Sequence, residues 1–440
     1  WVADTVEVEF SWTEPFDVDS ENLEMYLYID LGDQIDSFAV TGTAKKIQLL
    51  SLRYTKDRSN DWWLEVSDEV STISTNVRSF IIPEELAYAG PNWHVAVDGS
   101  NEEGDGSPFN PFLTIQHGIN KCPDGDTVLV HPGEYIENID LSGRTIYLKG
   151  SSSENTIING NESGRAVTFN NSSTPNSASE IENLTIRNGL SSSDGSGIFS
   201  FYGSLNLKNL IIEHNSCSSS GGGIYLENAE SIIENVIMKE NEAEGNGGGI
   251  FIRSSDVLLS NSTINNNSSN SGAGIYINST NNVNIIKTII SHNNAEVGSG
   301  MYVGNSGVAT IENCTVVENS ATSECGGVYS DGDVEIQNTI LWNSGTEEIT
   351  VSDIGFVTIS YSHIEGGQED GVTGGGSVSW LDGNSSSNPE FTNLGSSDFS
   401  LLESSPCIDG GDADTDGDGL DYFLDANDRD PDGTRLDIGA

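Results

Sequence analysis

Residues 207–241 read LKNLIIEHNSCSSSGGGIYLENAESIIENVIMKEN. Leu207, Asn209, Ile212, Asn215 and Ile224 are met again 26 residues later as Ile233, Asn235, Met238, Asn241 and Ile250. Working outward, Asn215, Asn241, Asn267, Asn293 and Asn319 keep that spacing, and Asn343 follows after 24. A second column runs Asn183, Asn209, Asn235, Asn261, Asn313 and Asn338, with Lys287 in the fifth place. Two residues before it stand Ile181, Leu207, Ile233, Leu259, Ile285, Ile311 and Ile336, and three after it Ile186, Ile212, Met238, Ile264, Ile290 and Val316. A third column pairs Gly with an apolar residue: Gly197-Ile198, Gly223-Ile224, Gly249-Ile250, Gly274-Ile275, Gly300-Met301 and Gly327-Val328.

A constant period with aligned apolar columns means stacked coils, because one coil cannot bury its apolar face alone. Strand pairing sets the coils about 4.8 Å apart. Like residues then lie on like, giving aliphatic ladders inside and Asn ladders at bends, where Asn tolerates the left-handed conformation and bonds neighbouring backbone. The fold class expected is all-β: a right-handed parallel β-helix over 93–405, preceded by a small β-sandwich over 1–88. About a dozen coils would make a rod on the order of 55–60 Å long. No Leu-rich signature and no recurring helix-length segment supports a leucine-rich or ankyrin array.

The stretch 95–138, VAVDGSNEEGDGSPFNPFLTIQHGINKCPDGDTVLVHPGEYIEN, offers Asn110 and Pro111 as N-cap and first helical residue, with Phe112, Ile115 and Ile119 on one face. This part resembles the opening of secreted right-handed β-helix proteins of the pectin-lyase-like superfamily, which implies a short helix capping the first coil. The Gly-Gly-Ile-aromatic units with their Asn, as in Gly222–Tyr225 with Asn241 and Gly248–Phe251 with Asn267, resemble repeats of bacterial polymorphic outer-membrane proteins. That likeness implies a cell-surface adhesin.

Residues 1–88 alternate in short runs, as in Val6, Val8, Phe10 and Leu23, Met25, Leu27, Ile29, separated by polar turns. FSWTEPFDVDSENLEMYLYI and Trp62-Trp63-Leu64-Glu65-Val66 resemble the start and a later core strand of a fibronectin type III or immunoglobulin-like domain. Its usual first strand is missing before Val6, which implies a longer natural chain or a strand supplied by a neighbour.

Charge excludes several partners. Seventeen Lys and Arg against 68 Asp and Glu give a net charge of −51. Duplex nucleic acid and anionic lipid surfaces both need clustered cations. No apolar run is long enough to insert directly into a membrane. The opening WVADTVEVEF has neither the basic nor the apolar part of a signal peptide, as a processed secreted chain would look. The five cysteines, Cys122, Cys217, Cys314, Cys325 and Cys407, fit no zinc spacing, and their odd number leaves at least one thiol free or paired between chains.

Four groups of residues are functional candidates. Phe199, Tyr225, Phe251, Tyr276, Tyr302 and Tyr329 form an outward aromatic column, which either binds sugar rings or a partner protein or stacks on itself. Arg187, His214, Glu240, Asn266, His292 and Glu318 form a polar column in which His214 with Glu240, or His292 with Glu318, makes an acid/base pair or an ordinary solvated face. Uronate chemistry, as in the polysaccharide lyases of this fold, needs cations. Between Lys287 and Arg429 lie 141 residues without one, leaving Arg144, Lys149, Arg165, Arg187, Lys208, Lys239 and Arg253 scattered.

The last group is a candidate metal site. Asp414, Asp416 and Asp418, Gly419, Leu420 through its carbonyl, and Asp425 have the spacing of a calcium loop. Asp428, Asp430 and Asp432 echo it. The segment 406–440 resembles thrombospondin type 3 and dockerin-like calcium loops, and Ca²⁺ is the expected cofactor. Asp98, Glu103 and Asp105 form a weaker second candidate.

No catalytic residue is assigned. The function expected is a secreted or cell-surface structural or adhesive protein that assembles with itself into extracellular filaments. The alternative is a polysaccharide-binding protein, lyase or hydrolase on the same fold.

Overall fold

A computed structural model describes residues 5–13, 23–30, 35–50, 60–67, 71–80, 88–141, 143–170, 178–279, 282–343, 347–414, 423, 425, 429 and 434–439. The chain divides into two compact units, Trp1–Leu113 and Thr114–Ala440. The division falls beyond the 88–92 linker expected from the sequence.

In the first unit, Thr5–Ser11 pairs antiparallel with Ala44–Leu50. A second antiparallel sheet runs Ile35–Val40, Glu24–Asp30, Asn60–Ser67, Thr72–Ser74, with Arg78–Phe80 also on Asn60–Ser67. Phe10 from the first sheet shares a core with Leu27, Ile29, Val40 and Leu64 from the second, and Trp12 and Trp62 pack on it. Alternation explains the choice: Leu27 and Ile29 point in while their neighbours stay half-exposed. Trp63 lies outside that core, stacked on its cross-strand partner Tyr28 at 5.3 Å.

The second unit is a parallel solenoid. One coil comprises Leu205–Lys208, Ile211–Glu213, Ser216–Cys217 and Ile224–Glu227, and the next begins at Glu230–Glu234. Successive coils pair in register, so that Leu207 faces Ile233, Ile212 faces Met238 and Ile224 faces Ile250. The column Ile181, Leu207, Ile233, Leu259, Ile285, Ile311 and Ile336 is fully buried along its whole length. Two of the sheets are ten strands deep, about 43 Å from first strand to last at about 4.8 Å per step, and the third, the long sheet, has twelve strands.

The capping helix is Ile115–Lys121, shorter and later than the sequence reading placed it. Its N-cap is Thr114, whose hydroxyl accepts from His117 N, while Asn110 instead closes a turn by donating to the Glu103 carbonyl. The Glu137 carboxylate accepts from the free backbone N–H groups of Ile115 and Gln116 at 2.8 and 3.0 Å, a second cap supplied from the first coils. Ile115 and Ile119 are buried as the spacing predicts.

The C-terminal segment folds back on the solenoid. Cys407 and Ile438 pack with Ile340. Asn338 accepts from Asp412 N through its side chain and from Gly439 N through its carbonyl. Both ends of the acidic stretch are thus tied to one coil.

Candidate functional site

The two Asn columns divide the work at the bends. Asn183, Asn209, Asn235, Asn261, Lys287, Asn313 and Asn338 all have positive φ, between 47 and 59°, and Tyr361 continues the column at 46°. Asn is favoured there because its short amide tolerates this conformation.

The other column, Asn215 to Asn343, is buried and does not use positive φ. Asn267 shows its pattern. Its Nδ2 donates to Met238 O and to Asn293 Oδ1, and its Oδ1 accepts from Asn241 N and Asn241 Nδ2. The ladder ends at Glu348, fully buried, whose two carboxylate oxygens accept from Asn343 N and Nδ2 at 2.7 and 2.6 Å. Burial, with Glu365 nearby, pushes the Glu348 carboxyl up to about 8 despite these bonds.

A third ladder escaped the sequence reading because its chemistry varies. Ser262, Thr288, Cys314, Thr339 and Ser362 occupy one position in successive coils. Each donates to the backbone carbonyl two residues earlier. Only the capacity to donate is shared, and no residue name repeats throughout.

The aromatic column forms a continuous stack. Centroids lie 5.3, 5.0, 5.2, 4.9 and 4.7 Å apart from Phe199 to Tyr329, with planes within 16°. Glycine makes room for it. At Gly221, φ is 77° and a side-chain carbon would lie 2.7 Å from Tyr225 Cβ. At Gly223, one would lie 2.5 Å from the Gly249 carbonyl of the next coil, which explains the Gly-apolar column. Tyr225 and Phe251 are only 4 and 6% exposed, and the ring faces between coils are occupied by neighbouring rings. Tyr225 donates to Glu227 and Tyr302 to Asp331, both at 2.6 Å, and burial raises both phenols.

The polar column needs a register correction. Arg187 faces Glu213, and the residue in line with His214 is Asn188, which shares its positive φ. His214 Nε2 lies 2.9 Å from Glu240 Oε2, with both side chains about half exposed. His292 lies against Phe399 of the strand Asp398–Leu401, 5.9 Å between ring centres.

The scattered cations have partners in neighbouring coils. Lys149 pairs with Glu182 at 2.6 Å, Lys208 with Glu180 at 2.8 Å, and Lys239 with Glu213 at 3.0 Å. Arg187 meets Glu134 at 2.8 Å and Glu213 at 3.9 Å, and Arg253 meets Glu227 at 3.8 Å. Arg144 binds Asp124. Arg165 donates to the carbonyls of Asp194 and Gly195 and lies over Phe199. A groove of about 670 Å³ on the long sheet is lined by Asn206, Glu230, Ile232, Asp256 and Leu258, with no Lys or Arg in its lining.

Of the expected calcium ligands, Asp414 and Asp425 are described, whereas Asp416, Asp418, Leu420, Asp428, Asp430 and Asp432 lie outside the described residues. Among the described residues no three His, Cys, Asp or Glu side chains gather as a metal site. In the weaker candidate, Asp105 accepts from Ser107 N. All five cysteines are buried free thiols. Among the described residues no helix is long and apolar enough to cross a membrane.

This geometry defines a parallel β-helix, and comparison fixes its hand. A family model described as "Right handed beta helix region" matches residues 165–333. No curated protein matches the chain. Among solved structures, a complex of XylC with xylose is similar at 11% identity over 68% of this chain and 87% of that one, with TM-score 0.31. Pectin methylesterase PemA from Erwinia chrysanthemi is similar at 12% identity over 64 and 80%, with TM-score 0.28. A pectin methylesterase bound to a hexasaccharide is similar at 11% identity over 74 and 98%, with TM-score 0.29.

Proposed function

We propose that this chain is a secreted or cell-surface structural and adhesive protein, in which the β-helix is a rigid scaffold that assembles with copies of itself into extracellular filaments. The observation that carries the reading is the fate of the cations. All seven scattered Lys and Arg candidates engage carboxylates, carbonyls or a ring of the same solenoid. Neutralising a uronate and abstracting its proton requires free, convergent cations, and these side chains instead bind coil to coil. Such pairs are worth little singly at a surface, but they remove the charges a lyase would need. Negative-stain microscopy of the purified chain tests the proposal. Filaments or regular end-to-end particles support it, and a strictly monomeric chain with sugar-cleaving activity overturns it.

Calcium belongs to the same proposal. The acidic stretch between Asp412 and Gly439 starts and ends on Asn338, so an ion holding its carboxylates would close a loop already anchored at both ends. EGTA should lower the melting temperature of the C-terminal region, and an unchanged melting curve would remove calcium from the account.

A further inference from the structure

The aromatic stack has two unlike ends. At Phe199, the Arg165 guanidinium lies 3.8 Å from the ring centre and is held there by Asp194 O, Gly195 O and Ser193 Oγ. That end is closed. At Tyr329, one face stacks on Tyr302. The residue paired with Tyr329 in the next coil is Thr350, and in the coil after that Thr373. The two threonine hydroxyls lie 3.1 Å apart and bond each other. Two rungs that could have carried rings therefore carry small side chains. A cleft of about 550 Å³ opens at this place, lined by Tyr329, Thr350 and Thr373 with Glu324, Glu347 and Asp353 around them.

Polar atoms at the cleft are also left over. Tyr225 and Tyr302 hand their hydroxyl protons to carboxylates, whereas the Tyr329 hydroxyl, like that of Tyr276 inside the stack, has no hydrogen bond among the described residues. Ser352 Oγ, in the cleft wall, is buried without a partner among the described residues. A buried hydroxyl normally finds one.

We propose that this cleft binds an uncharged pyranose residue of a glycan, stacked on Tyr329 as the next rung of the aromatic ladder. The C–H face of a pyranose fits the free face of the phenol ring. Its hydroxyls donate to Glu324, Glu347 and Asp353, which when ionised only accept. The same hydroxyls both donate to and accept from the Ser and Thr groups of the lining, which an ammonium ion cannot do. A uronate would bring a fourth negative charge into the cleft, and no Lys or Arg lines it. The site is separate from the groove on the long sheet, and its occupancy does not depend on whether the chain forms filaments.

Calorimetric titration tests this. The uncharged probes are cello-, xylo-, manno- and galacto-oligosaccharides, the charged probe is oligogalacturonate, and choline represents a simple cation. At least one uncharged oligosaccharide should bind. Tyr329→Ala should weaken it about tenfold through loss of ring stacking. Thr350→Tyr should abolish it by placing a side chain where the sugar would stack, with the melting temperature held or raised. Should that variant fail to fold, Asp353→Ala, at an exposed position, should weaken binding instead. The proposal is overturned if no uncharged oligosaccharide binds, if only oligogalacturonate or choline binds, or if the folded variants bind as the parent does.

Discussion

Replacing Asn267 with Ala tests the buried amide ladder at its middle. Asn267 is 1% exposed and joins three coils through four side-chain hydrogen bonds of 3.0 Å. The truncation leaves Asn241 N in the interior without a partner, while Met238 O loses one donor but stays in the paired strand Ile237–Lys239. Asn241 Nδ2 keeps its bond to Ile212 O, so it is only half deprived. An orphaned buried backbone group costs about 1–3 kcal/mol and one further lost hydrogen bond about 0.5–1.5 kcal/mol, which predicts a loss of about 2–4 kcal/mol. Asn235→Gly is the control, because Asn235 is exposed at a positive-φ bend where Gly is at ease. It should change stability by less than about 1 kcal/mol. Urea unfolding should be followed by far-ultraviolet circular dichroism and by hydrogen exchange at the coils containing residues 238 and 241. The second readout matters because solenoids can unfold in parts. Asn267→Ala matching the control in both would refute the view that this ladder carries the bend's stability.

Other outcomes follow from buried ionisable groups. The Glu348 carboxyl is raised from its ordinary value of 4.5 to about 8, so the folded chain holds a proton that the unfolded chain releases. Its stabilising contribution is full below about pH 4.5 and is lost as pH rises through about 8, at up to about 1.4 kcal/mol per pH unit. Glu348→Gln should flatten that slope in pH-dependent unfolding, and an unchanged slope would assign it to other groups. Burial pushes the Cys217 thiol up to about 11 and the other four to about 12. Ellman's reagent should therefore leave the native chain unlabelled and label all five cysteines in denaturant, whereas rapid native labelling would contradict the buried placement.

The solenoid was legible because one coil, repeated, writes its inward and bend positions as columns of like residues. Asn215 to Asn343 and Ile181 to Ile336 announce themselves in this way. What escaped has physical causes. The hydroxyl ladder uses Ser, Thr and Cys interchangeably, since any of them donates to the same carbonyl. Arg187 was misaligned with His214 by one position, and pairing with Glu213 supplies the true register. Asn110-Pro111 is a strong helix-start signal, yet Asn110 closes a turn and Thr114 caps the helix. The end of the ring ladder was invisible for a different reason. After Gly327-Val328 the motif becomes Glu348-Ile349, and the aromatic becomes Thr350, so the column vanishes from the sequence just where the cleft opens. No spacing rule reports a cavity.

In the proposed function the solenoid's cations serve the scaffold and not a reaction on acidic polysaccharide. This is tested most directly by incubating the purified chain with pectin, methyl-esterified pectin, alginate and chondroitin. Unsaturated uronate, released methanol and new reducing ends should all be measured. No turnover above buffer is expected. Turnover that falls when Arg187, Lys208 or Lys239 is replaced by Met would contradict it, because those side chains would then be acting on substrate while bound to Glu134, Glu180 and Glu213.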